Sequence, residues 1–75
     1  MKQSVEDLFD ELIGRQEQKL LQHATAIIPH ITSDDILQPN DYPELEHHPF
    51  FRYEEGFLKG IHAAKMAVMA WEKNR

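Results

Sequence analysis

The chain has 75 residues, 41% hydrophobic and 28% charged, with eight Lys and Arg against thirteen Asp and Glu for a net charge of −5. That is room for one small domain, residues 1–75, and the absence of cysteine excludes a disulfide scaffold, a thiolate metal cage and a cysteine nucleophile. The acidic balance argues against nucleic acid as a partner, because a phosphate-tracking groove needs clustered Lys and Arg. No apolar run is long enough for a signal peptide or a span, so the expectation is a cytoplasmic chain without a membrane partner.

The first helix is predicted over about 4–28. Ser4 suits an N-cap, and Asp7 three residues on completes a weak capping box. Apolar residues then recur at helical spacing through Val5, Leu8, Phe9, Leu12, Ile13, Leu20, Ala24 and Ile27. Glu6, Asp7, Asp10 and Glu11 crowd the positive end of the helix dipole, and Glu11 precedes Arg15 by one turn. Residues 15–19 read as polar all round. Pro29 ends or kinks the helix.

Residues 29–49 are punctuated by Pro29, Pro39, Pro43 and Pro49, so neither a long helix nor a central strand runs through them. Thr32 or Ser33 can cap one turn, Asp34 to Leu37, stopped by Pro39. Pro43 can open another through Glu44, Leu45 and Glu46. From Leu20 to Phe51 there is no Lys or Arg, which makes the acidic 32–49 segment a possible contact for a protein partner. A connection of this length is more often packed or functional than idle.

The last helix is predicted over about 49–73, where Phe50, Tyr53, Phe57, Gly60, Ala64, Ala67 and Trp71 alternate by three and four. Ile61 and Val68 widen this stripe on one flank, and Phe51 and Leu58 on the other. The aromatic members read as core. Phe50, Phe51, Leu58, Met66 and Met69 spread over more than one side of the helix, and a single hairpin partner covers only one.

Gly56 and Gly60, followed by Ala64, make a shallow groove for close approach of another backbone. That backbone belongs either to the first helix or to a second chain. Glycine at position 60 costs about 1 kcal/mol of helix propensity relative to alanine, so a facing helix is expected to gain from the missing side chain. The predicted interface is therefore Phe50, Tyr53, Gly56, Phe57, Gly60, Ile61, Ala64, Ala67, Val68 and Trp71.

Chemistry-bearing residues are sparse. Glu44, His47 and His48 are weak metal candidates: adjacent histidines chelate poorly, and Glu44 and His48 have a helical ligand spacing but lie in a segment too short for a stable helix, between Pro43 and Pro49. Asp34-Asp35 and Glu54-Glu55 are carboxylate pairs without a predicted burial to separate their pKa values, Glu54-Glu55 lying largely off the apolar stripe. Ser4 and Ser33 read as caps. No catalytic residue and no cofactor is expected.

The fold class expected is all-α: an antiparallel hairpin of two long helices with a long Pro-punctuated connection, dimerising into a four-helix bundle. The leading function is a non-enzymatic interaction or regulatory module. The alternative is a metal-binding protein using Glu44, His47 and His48 with ligands from a symmetry mate. Surface scaling for a compact chain of this mass gives about 4,800 Å2 folded, and a chain this short usually needs a staple. With disulfides excluded, oligomerisation is the remaining route.

Overall fold

A computed structural model describes residues 3–38 and 41–74. Helix α1 runs from Val5 to Ile27, and Ser4 caps it as expected: its backbone is extended and its Oγ accepts the Asp7 N–H at 3.0 Å. Arg15 lies 2.6 Å from Glu11. The helix stops short of Pro29, with the Ile28 N–H still donating to Ala24.

The connection folds into short pieces. Thr32 and Asp35 hold one another, the Thr32 N–H donating to Asp35 Oδ2 at 3.0 Å and the Asp35 N–H to Thr32 Oγ1 at 3.3 Å. This reciprocal pair opens a single 3-10 turn, Asp35–Leu37. The expected stop at Pro39 lies outside the described residues. Pro43 then begins the one-turn helix α2, Pro43–Glu46. Pro49 begins α3, Pro49–Lys73, whose N-cap is His48 with Nδ1 accepting the Phe51 N–H at 3.4 Å. No strand occurs among the described residues.

Helices α1 and α3 pack antiparallel along their length, as Gln16 meets Glu54 near one end and Asp10 meets Lys65 towards the other. The core sits at the closed end of the hairpin. Ile13, Leu20, Ala24 and Ile28 supply it from α1, Ile31, Ile36 and Leu45 from the connection, and Phe51 and Leu58 from α3. The connection is thus a packed third layer, and its Leu45 is fully enclosed together with Phe51 of α3.

Two expectations are corrected here. The buried face of α3 is Phe51, Glu54, Glu55 and Leu58, whereas Phe50, Tyr53, Phe57 and Trp71, expected as core, are exposed. The supposedly polar stretch 15–19 also contains a buried residue, Gln16. Both stripes of α3 satisfy helical spacing. The connection decides between them, because it closes over Phe51.

Beyond the core the hairpin is a bare pair of helices. Its extents are 44 × 25 × 18 Å and its radius of gyration is 14.5 Å, against about 11 Å for a compact domain of this length. Its accessible surface is 5697 Å2, roughly 900 Å2 more than the 4,800 Å2 that scaling assigns to a compact chain. No helix among the described residues is long and apolar enough to cross a membrane.

The neighbouring phenylalanines test this rotation of α3. Phe51→Ala is expected to cost about 3–5 kcal/mol, as removal of a buried aromatic ring does. Phe50→Ala should change single-chain stability by no more than about 0.5 kcal/mol. Urea denaturation at low-micromolar concentration compares them directly, and equal losses would contradict the rotation.

Candidate functional site: an uncovered helix face

At about 100° per residue, α3 carries two apolar flanks. The first, through Phe51 and Leu58, faces α1 and the connection. The second holds Phe50, Tyr53, Gly56, Phe57, Gly60, Ala63, Ala64, Ala67 and Trp71, with half-buried Ile61 and Val68 on its border. No Asp, Glu, Lys or Arg falls within that second sector. Its large members are 70% (Phe50), 68% (Tyr53), 52% (Phe57) and 64% (Trp71) exposed. On α1, Val5, Leu8 and Leu12 are exposed too, and the same helical arithmetic puts them on that side of the hairpin. Singly exposed apolar residues are ordinary on a protein surface, but a contiguous uncharged flank is not.

The predicted interface residues are therefore brought together, and they face away from α1. A Cβ added at Gly56 or Gly60 would meet nothing within 4 Å. Packing against the first helix is excluded as the reason for these glycines. Gly14, in the middle of α1, is equally open.

The rotation of α3 is held by a polar clasp that the sequence reading missed. Gln16 donates through Nε2 to Glu54 Oε2 at 2.6 Å and to the Glu54 backbone carbonyl at 3.0 Å. Lys19 Nζ lies 3.4 Å from Glu54 Oε1. The Gln16 hydrogen bond, with help from Lys19, holds the Glu54 carboxyl below its usual range. Glu55 pairs with Arg52 at 3.1 Å. The available signal was that Gln16 occupies the apolar register of α1, between Ile13 and Leu20.

Elsewhere Asp35, Lys65 and Glu11 are held towards their ionised forms, and Tyr42 towards its neutral form. Asp35 is pulled down chiefly by the Thr32 N–H, and Lys65 is raised by its hydrogen bond to Asp10. Glu11 is lowered first by the Gln3 hydrogen bond and then by Arg15. Tyr42 is raised, first by burial and then by the Asp35 charge.

On the opposite side of the hairpin lies an open groove of about 600 Å3, with Leu20, Leu21, Ile36 and Leu58 beneath and Glu17, Lys59 and His62 at its edge. Among the described residues, no three His, Asp or Glu side chains converge on a point where a metal ion could sit. Glu44 and His47 are exposed, and His48 is engaged as the α3 cap with its ring 6.1 Å from Phe50. One chain alone does not assemble Glu44, His47 and His48 into a ligand set. In comparisons with known proteins, the chain matches no family model, no curated protein and no solved structure.

Two predictions follow from this geometry. The Glu54 carboxyl titrates lower in the fold than in the unfolded chain, so its stabilisation is present above the ordinary carboxylate range. It is lost as pH falls through the lowered folded value. Glu54→Gln keeps an acceptor for Gln16 and removes the charge, and should flatten the acid limb of a stability–pH profile. An unchanged limb below pH 4.5 would contradict the clasp.

The second concerns the open glycines. In the single chain, Gly14→Ala and Gly60→Ala should each stabilise by about 0.5–1 kcal/mol, through helix propensity alone. Denaturant midpoints at low-micromolar concentration read this, and a loss at Gly60 there would place a hidden contact inside the hairpin.

Proposed function

We propose that the chain is a non-enzymatic interaction module that self-associates as a homodimer through the uncovered flank of α3. One observation carries the reading: four large aromatic side chains lie more than half exposed on one uncharged flank of a well-formed helix. Water-exposed apolar surface of this extent is a liability unless something covers it. The surplus of about 900 Å2 over a compact chain is close to the ~800 Å2 that each partner buries in a standard interface. The acidic 32–49 segment is the second surface of the proposal. Asp34, Asp41 and Glu44 are exposed there, and they suit a basic protein partner.

Sedimentation equilibrium at tens of micromolar, alongside helix content by circular dichroism, tests the reading. The wild-type chain is expected at twice its 8.8 kDa. Phe57→Asp, which buries a charge in any complex formed on this flank, should give a helical monomer. A wild-type chain that stays monomeric while Phe57→Asp behaves identically would overturn self-association. Under assembly conditions Gly60→Ala should lose its propensity gain while Gly14→Ala keeps it.

A further inference from the structure

We infer that the two copies meet in an antiparallel, two-fold arrangement, with their α3 helices crossing at Gly60. This rests on the proposed self-association and adds which part of the second copy covers which part of the first. The uncovered flank is lopsided along its length. Its N-terminal half is bulky, with Phe50, Tyr53 and Phe57; after Gly60 come Ala63, Ala64 and Ala67, and Trp71 closes the far end.

The midpoint between Phe50 and Trp71 falls at Gly60 and Ile61. An antiparallel two-fold at Gly60 sets Gly60 against its own copy, Phe57 against Ala63 and Tyr53 against Ala67, with Phe50 within one residue of the level of Trp71. Tyr53 and Phe57 each meet an alanine, as close packing requires, and the aromatic pair of Phe50 and Trp71 closes each end of the seam. A parallel pair would set Phe57 on Phe57 and Ala64 on Ala64, overpacked at one end and hollow at the other.

Backbone approach is open at the crossing, because a Cβ added at Gly60 would meet nothing within 4 Å of its own chain. The antiparallel contact is also isologous and closes on itself, so it ends at two chains and does not propagate. Each chain carries a net charge of −5, and the uncharged flank is the surface on which two such chains meet without desolvating a charge. Arg52, Lys59, Lys65 and Lys73 all lie off it. Asp10 and Gln16 face Lys65 and Glu54 across the hairpin, so Leu12 of α1 lies close to the level of the crossing. Its copy comes to the same level, and the exposed side chains of α1 extend the seam.

The chain has no cysteine, so single engineered thiols report contact without background. Disulfides form where Cα atoms come within roughly 4.4–6.8 Å. Under mild oxidation Gly60→Cys should cross-link to itself. Tyr53→Cys and Ala67→Cys should cross-link to each other in a mixture and not to themselves. At tens of micromolar, these links should form on the order of 50-fold faster than in urea, where only diffusion brings thiols together.

Self-linking by Tyr53→Cys and Ala67→Cys, without the mixed product, would establish a parallel pair and overturn the arrangement. Linking no faster than in urea, with the wild-type chain dimeric by sedimentation, would move the contact to another face. The same result with a monomeric wild-type chain would remove both the arrangement and the self-association on which it rests. An adduct at Tyr53 with a different protein, obtained with a photoreactive residue at that position in cells, would overturn the second copy as occupant and leave the flank as a docking surface.

Discussion

A helix of twenty-five residues turns one face at a time toward a single antiparallel neighbour, and α3 has apolar side chains on two. The rest of the structure follows from how that conflict is resolved. One flank is satisfied within the chain, against α1 and the folded connection. The other is left in water. Burial supplies the dominant favourable term in folding, so the chain takes what one hairpin can give and keeps the remaining apolar flank exposed. The elongated shape is the same fact seen from outside: enclosure is achieved at the closed end, where three segments converge, and not where only two helices remain.

Phe51 decides which flank is enclosed. It sits in the first turn of α3, just after the Pro49 that starts the helix, and the connection must pass over that turn to reach it. Leu45 and Ile36 from the connection join Phe51 in one buried cluster, which Ile28 and Ala24 complete from the end of α1. Phe50, one residue earlier, points about 100° away and has nothing to close over it. The long connection is therefore part of the core, and its proline-bounded turns are the devices that bring three aliphatic side chains to one place.

The ends of the helices were legible in the sequence because capping is local chemistry. Ser4, Thr32, Pro43 and Pro49 act within three or four residues of themselves, and each does in the fold what its residue type implies. The rotation of α3 was not legible for the opposite reason. Phe50-Tyr53-Phe57 and Phe51-Leu58 both obey helical spacing, and periodicity gives a face without saying what lies opposite. Two glutamates in the buried sector added to the ambiguity, since a pattern of apolar residues skips charged positions that have partners. The glycines at 56 and 60 were recognisable from their spacing, but that they face away from α1 was not, because that depends on the same rotation.

The clasp of Gln16 and Lys19 on Glu54 supplies what apolar periodicity lacks, a preference for one rotation over another. Hydrophobic contacts are non-directional, and turning α3 to bury Phe57 and Tyr53 against α1 would gain comparable apolar area. That rotation would carry Glu54 away from Gln16 and leave a buried amide on α1 facing hydrocarbon, a loss comparable to an unmade buried hydrogen bond. Buried polar pairs of this kind contribute little net stability, and their best-attested use is to specify register. By fixing Glu54 inward, the clasp fixes the aromatic flank outward. The interaction that most resembles a piece of internal wiring is thus also the one that leaves Phe50, Tyr53 and Phe57 exposed.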